Sequence, residues 1–255
     1  MIEFAPSNYY AFVADVTYTA IIQLKGLVYP STRIILGMPP TLTFDESFGC
    51  VVTYTPAKCE VNYETNELTL SEIFDSAVEA GTILKFVIEK AVNPIGSQEA
   101  GPWSARTERI FDGEYYTVNA GYSPTSFFAL SGWIRSSISY TDTLTSSEGT
   151  FDFTFITEHD IPDNGLLEIE LPEEMSFSKD AVEVQQIRHE KPSSLVFESL
   201  TEQAIVFRVP NGLKSSTTAV EITLEQVLTP RSFRPSSDFK VYTKSEEGYI
   251  VDSGG

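Results

Sequence analysis

One stretch of this chain occurs twice, 136 residues apart. Lys85-Phe86-Val87-Ile88-Glu89-Lys90-Ala91-Val92-Asn93-Pro94 lines up with Glu221-Ile222-Thr223-Leu224-Glu225-Gln226-Val227-Leu228-Thr229-Pro230. Thirteen residues after each proline stands a threonine, Thr107 and Thr243, and four residues before each threonine a large aromatic, Trp103 and Phe239. A solenoid unit runs to roughly 20–50 residues, so this period is too long for one. It fits two whole domains in tandem, and 255 residues hold two domains of about 100–150 residues each. Tandem copies of that size are expected of arrays, which serve more often as scaffolds or adhesins than as enzymes.

The segments inside each copy read as strands. Val16-Thr17-Tyr18-Thr19-Ala20-Ile21-Ile22, Phe151-Asp152-Phe153-Thr154-Phe155 and Leu166-Leu167-Glu168-Ile169-Glu170-Leu171 alternate, or are rich in β-branched and aromatic residues, between proline, glycine, asparagine and serine turns. Helix signal is nearly missing: Asp75 to Ala80 suggests one turn, and Lys179 to Gln186 opens a short helix or a strand. The second copy starts with Trp133 to Tyr140, which the first matches loosely around Tyr9 to Val13. Seven or eight short strands per copy, in about 125 residues, is the pattern of an antiparallel sandwich. The expected fold is all-β, two tandem immunoglobulin-like antiparallel β-sandwich domains at residues 1–121 and 122–255. The boundary lies in Asn119 to Pro124 and the residues up to 128, which have linker composition. The strand-C tryptophan and B-to-F disulfide of antibody domains are not visible, so the architecture is Ig-like rather than that of a true Ig domain. The late strands match best, and the middles, 44–66 and 176–200, differ most; private function is expected there.

The net charge of −19 is shared by both copies. A surface so negative repels phosphate backbones and anionic lipid, which excludes nucleic acid as a partner and disfavours membrane docking. No apolar run reaches the roughly 18–20 residues that span a bilayer. Met1-Ile2-Glu3-Phe4 does not start a signal peptide, so the expectation is either a cytosolic chain or a piece of a longer one.

Two cysteines, Cys50 and Cys59, lie nine residues apart around a turn at Pro56-Ala57-Lys58. Folding that segment back as a hairpin brings them opposite one another at disulfide distance. Two free buried thiols is the other reading, and two distant histidines give no zinc spacing. A disulfide would imply an oxidising compartment.

Catalytic signals are few. His159 and His189 are the only histidines. His159-Asp160 is adjacent in sequence, but neighbours in extended chain point apart, and no nucleophile elbow or glycine-rich phosphate loop accompanies it. Metal chemistry reads better in Asp160-Ile161-Pro162-Asp163-Asn164-Gly165, where Asp160, Asp163 and Asn164 place three oxygen-bearing side chains around a turn suited to calcium. The same residues are ordinary turn formers. Asp112-Gly113-Glu114 and Asp45-Glu46 are poorer versions. Tyr9-Tyr10, Tyr115-Tyr116, Trp103 and Trp133 are candidates for a sugar-stacking platform; alternation predicts that half of each tyrosine pair is buried, and Trp103, matching Phe239, fits a core position.

Asn93-Pro94 with Trp103 to Thr107, and Thr229-Pro230 with Phe239-Lys240-Val241-Tyr242-Thr243 and Gly248-Tyr249-Ile250-Val251-Asp252-Ser253-Gly254, resemble repeats of large extracellular surface proteins of protists, ciliates in particular. In those, β-sandwich units line up outside a membrane anchor. The resemblance implies an extracellular or cell-surface parent and transfers no catalytic residue. The expected function is a non-catalytic structural or adhesive module whose partners are other modules of the array or a surface ligand. The alternatives are a carbohydrate-binding or calcium-dependent adhesion module, and an accessory domain pair of a larger enzyme.

Overall fold

The computed structural model describes residues 2–52, 55–123, 126–141, 144–178, 186–188, 195–215, 219–232 and 234–255. Those residues form strands and turns without a helix, so among them no helix is long and apolar enough to cross a membrane. The chain divides into two compact units, Met1–Leu130 and Ser131–Gly255. Residues 122–130 stay with the first because Phe127 and Phe128 pair with Ala100 and Glu99 and Leu130 bridges Tyr10.

Unit 1 contains β1 (Ile2–Pro6), β2 (Val16–Gln23), β3 (Thr32–Gly37), β4 (Thr43–Val52), β5 (Thr55–Pro56), β6 (Lys58–Asn62), β7 (Glu67–Ser71), β8 (Ile83–Val92), β9 (Glu99–Ala100), β10 (Ser104–Phe111), β11 (Glu114–Tyr122) and β12 (Phe127–Phe128). They make two five-stranded sheets, ordered β1-β2-β8-β4-β5 and β11-β10-β3-β7-β6, with a small β12-β9 pair. Alternation decides what faces inward. On β2, Val16, Tyr18, Ala20 and Ile22 are buried, with Phe86 and Ile88 beside them; from the opposite sheet come Ile34, Leu36, Leu68 and Leu70. Trp103 closes this core, buried and stacked on Phe4 at 4.3 Å. Asp75 to Ala80 forms no helical turn. It is a bend followed by a bridge from Val78 to Val28.

Unit 2 contains β13 (Gly132–Tyr140), β14 (Glu148–Thr157), β15 (Gly165–Glu170), β16 (Ser176–Phe177), β17 (Gln186–Arg188), β18 (Val196–Leu200), β19 (Ala204–Val209), β20 (Val220–Leu228), β21 (Lys240–Lys244) and β22 (Ile250–Gly254). The order is β16-β20-β14-β13-β22-β21-β15-β19-β18, with β17 also on β20. Strand β13 serves both halves: Gly132 and Trp133 pair in parallel with β22, and Ile134 to Tyr140 pair antiparallel with β14. The core repeats the first, with Phe151, Phe153 and Phe155 against Leu167, Ile169, Ile205 and Phe207. In unit 1 the counterpart of β13 is β1, not the segment from Tyr9 to Val13. The expected helix or strand over Lys179 to Gln186 lies, but for Gln186, outside the described residues.

The repeated sequence marks a repeated irregularity. In unit 1, Val16 pairs with Ala91 and Tyr18 with Ile88; in unit 2, Gly149 pairs with Val227 and Phe151 with Leu224. One residue therefore opposes two in each ladder, a β-bulge. Lys90 and Gln226 occupy the same place in it, both left-handed at φ 59° and 56°. Downstream, Thr107 and Thr243 each precede a second register shift, and their hydroxyls accept the amide hydrogens of Asn119 and Asp252. Threonine is needed there because the bulge leaves that N–H without a ladder partner.

Cys50 and Cys59 form a disulfide with Cα atoms 6.1 Å apart, but not as opposite partners in a hairpin. The hairpin does form, with Val51 against Pro56, and places Ala57 opposite Cys50. The chain then crosses, and Cys59 pairs with Leu70 in the other sheet while Cys50 pairs with Ile88. The bond therefore ties the two sheets together. A loop this short is expected to contribute about 2.5–3 kcal/mol by restricting the unfolded chain. Replacing both cysteines by alanine should lower the denaturation free energy of unit 1 by that amount and leave unit 2 unchanged. Residue-resolved NMR through a urea titration would show it, and equal loss in both units would refute it.

Candidate functional site

Strands β10 and β11 pair along their full length, from Ser104 opposite Tyr122 to Phe111 opposite Glu114. Asp112 and Gly113 make the turn with φ 52° and 83°, the two left-handed positions of a tight hairpin. Asp112-Gly113-Glu114 thus serves as the hairpin tip. The base is anchored by ions: Glu108 accepts hydrogen bonds from Arg33 and Arg106, and Arg106 also clamps Glu67 with both terminal nitrogens. Burial pushes the Glu108 carboxyl up, but the hydrogen bonds from the two guanidinium groups outweigh it and hold it below the usual range.

Beyond that base the ribbon carries rings on both faces. Ile110 and Tyr115 are cross-strand partners on one; Phe111 and Tyr116 touch edge to face on the other, with centroids 6.5 Å apart. All four are exposed, Phe111 by 70% and Tyr116 by 50%. Alternation predicts one buried tyrosine in the 115–116 pair. Neither is buried, because this end of the ribbon has no core behind it. Tyr115 is covered instead by the Arg33 guanidinium, 3.5 Å from its ring centroid, a cation–π contact that fixes the ring without hiding it. Tyr9 and Tyr10 are likewise both exposed, since β1 ends at Pro6. Trp103 is core, as its match to Phe239 suggests: it packs on Tyr18 at 5.6 Å, and Phe239 on Phe151 at 5.7 Å. Trp133 is exposed, with Arg135 over its ring.

Among its described residues unit 2 has no such ribbon. From Thr243 to its hydrogen-bonded partner Asp252 is nine residues, against twelve from Thr107 to Asn119. Its hairpin closes at once through Ser245, Gly248 and Tyr249. The copies therefore differ in the late hairpin, which the sequence spacing makes look shared, as well as in their middles. The three-residue difference past each threonine was the available signal.

A second constellation lies at the end of β14. His159 Nδ1 is 2.7 Å from Asp252 Oδ1, and its backbone N–H donates to Asp252 Oδ2. Asp252 is fully buried. The hydrogen bond to its carboxylate, against the opposing effect of burial, raises the imidazole pKa. Glu158 is adjacent, and its carboxylate accepts the Trp133 N–H. Asp160, the sequence neighbour of His159, is expected to point away from it, and the structure pairs His159 with a residue 93 positions away. Glu158, His159 and Asp252 converge closely enough to hold a cation, but Asp252 Oδ1 is hydrogen-bonded to the imidazole and Oδ2 accepts the His159 backbone N–H. Side chains of His159 and Asp252 are 13% and 0% exposed, which suits a structural clasp. His189 lies outside the described residues.

The calcium candidates occupy the turn before β15. Lys214 Nζ sits 2.7 Å from Asp160 Oδ2, and the Ser215 N–H donates to the other oxygen. Asn164 is left-handed at φ 57°, and its carbonyl accepts from Arg208. Asp163 faces the backbone of Gly212. A lysine and an arginine thus supply positive charge at this turn, and a calcium ion would have to displace the ammonium group from Asp160.

No protein-family model and no curated protein matches this chain. Among solved structures it is similar to the C-terminal domain of the Streptococcus pyogenes antigen I/II-family protein AspA, with 9% identity and a TM-score of 0.33, covering 96% of this chain and 91% of that one. It is similar also to the C-terminal domain of the Streptococcus agalactiae AgI/II polypeptide BspA, with 9% identity and a TM-score of 0.32, covering 97% and 95%. Neither comes from a protist, so these structures give the ciliate resemblance no support.

Proposed function

We propose that the chain is a non-catalytic, adhesive structural module of an extracellular or cell-surface protein, and that unit 1 makes the contact. The observation that carries this is the β10–β11 ribbon: four exposed apolar side chains on an ion-anchored hairpin, without a counterpart among the described residues of unit 2. Exposed apolar clusters on a highly charged surface mark contact sites, and rings held on a hairpin lose little freedom on binding. The Cys50–Cys59 disulfide supports an oxidising location. The negative surface suits a protein or glycan partner rather than a nucleic acid or an anionic membrane.

Beads bearing the chain should be retained on cells or on extracellular matrix, and Phe111→Ser with Tyr116→Ser should lower retention at least tenfold without moving the melting temperature. Equal retention of both forms refutes the ribbon as the contact. A carbohydrate ligand is the second reading, favoured by the same rings, since sugar faces stack on them. A glycan array with no binder that loses signal in the double variant sinks it.

A further inference from the structure

Three arginines lie on β3 and β10, and two of them are spent. Arg33 and Arg106 pair with Glu108, and Arg106 also with Glu67. Arg109 is exposed and pairs with no carboxylate among the described residues. Its guanidinium lies instead 4.0 Å from the ring centroid of Tyr29. A turn places that ring: the Thr32 N–H donates to the Tyr29 carbonyl, and the Thr32 hydroxyl accepts the Tyr29 N–H. A guanidinium stacked on a ring face keeps its N–H donors at its rim, where a second planar group can meet them.

Register puts further rings beside it. The partner of Arg109 is Thr32 on β3 and Tyr116 on β11. Phe111 stands two residues along β10, on the same face, and touches Tyr116. Glu114 accepts the Tyr116 hydroxyl and so holds that ring. One face of the ribbon thus carries Tyr29, Arg109, Tyr116 and Phe111, a cation among flat apolar rings. The matching position in unit 2, two residues beyond Thr243, is Ser245, which is buried and closes the tight hairpin. This guanidinium belongs to unit 1, as the ribbon does.

We infer, on the reading of the ribbon as the contact, that this face binds a glycan bearing a carboxylated sugar. The carboxylate lies on the Arg109 fork and the sugar ring against Tyr116 and Phe111. A fork of N–H donors matches a planar carboxylate bidentately. Charge limits how many such groups the ligand carries. With −19 on the chain, and with Asp112 and Glu114 at the hairpin tip, a dense polyanion is repelled. One carboxylate on an otherwise neutral oligosaccharide meets one unneutralised cation. A sugar carboxylate is attached directly to its ring, so seating it on the fork brings the ring to side chains about 5 Å away across the ladder. Little freedom is then left to lose. A glutamate carboxylate ends a flexible stem and has no such advantage.

The test is NMR titration of the intact chain with 3′-sialyllactose, with an oligosaccharide ending in glucuronate, and with lactose. At least one acidic sugar should bind at least tenfold more tightly than lactose and shift the Arg109 side-chain and the Phe111 and Tyr116 ring resonances. Which of the two binds separates a sialylated ligand from a uronate. Arg109→Gln should abolish the preference for the acidic sugar. Arg109→Lys, which keeps the charge without the fork, should lose most of it, the rest of the spectrum staying that of the wild type. Equal affinity for acidic and neutral sugars overturns the inference, as does a preference that survives in Arg109→Gln, or binding of none of the three. Tighter binding of the peptide Gly-Glu-Gly than of either acidic sugar assigns the fork to an acidic peptide and overturns it too. Cell retention that falls with the Phe111 and Tyr116 substitutions but not with Arg109→Gln overturns it while leaving the ribbon as the contact.

Discussion

Asp252→Ala should cost unit 2 about 3–5 kcal/mol, the usual penalty for breaking a buried pair by removing one partner. Asp252 is fully buried and receives both the His159 N–H and its ring nitrogen. Truncation leaves an imidazole facing a hole and an amide without its acceptor. The pH dependence has a definite sign. The folded-state pKa of His159 lies above its ordinary value, which is about 6.5 when unperturbed. Its stabilisation is therefore complete below the unfolded value and is lost as the pH rises through the folded one. The stability difference between the wild type and Asp252→Asn should shrink between pH 5 and pH 9, read from unit 2 resonances in urea. A difference that stays flat over that range would show that the pair carries no proton linkage.

What the sequence disclosed and what it hid divide along one line. Inward-facing residues on β2, β14, β15 and β19 follow alternation, so their strands and core are legible without coordinates. Trp103 and Phe239 were placed by the repeat alone. Features made by two distant segments were not. His159 and Asp252 are joined only because β13 and β22 run side by side, and Gly132 leaves room for them; nothing near His159 in the sequence names a partner 93 residues away. The disulfide partners could be named from the sequence, but not their sheets, because a hairpin and a crossover after a hairpin have the same spacing. Tyr115 and Tyr116 are legible as candidate rings, but their joint exposure is not, for a physical reason: alternation leads to burial only where a core lies behind one face. The bulges at Lys90 and Gln226 were likewise invisible, since neither residue type signals a left-handed backbone.

Asn93→Ala should cost unit 1 about 3 kcal/mol, since it removes three hydrogen bonds at roughly 1 kcal/mol each and orphans a buried hydroxyl. Asn93 accepts from Tyr18 Oη at 2.6 Å and donates to the carbonyls of Asn8 and Tyr10. Burial raises the Tyr18 phenol pKa, so it stays neutral and needs an acceptor. In unit 2 the same bulged ladder has Phe151 in place of Tyr18 and Thr229 in place of Asn93. With no phenol to satisfy, the shorter Thr229 hydroxyl suffices to hold the preceding loop, donating to Leu144 and accepting from the Ser147 N–H. Each loop is also gripped by the following proline, whose carbonyl accepts from Phe12 or Ser146, both left-handed. The difference between Asn-Pro and Thr-Pro is therefore coupled to the residue across the ladder. Asn93→Thr alone should remain destabilised, because threonine is too short to reach the Tyr18 hydroxyl and both carbonyls. Adding Tyr18→Phe should recover at least half of the loss. A double-mutant cycle with no coupling between positions 18 and 93 would break this account of the repeated motif.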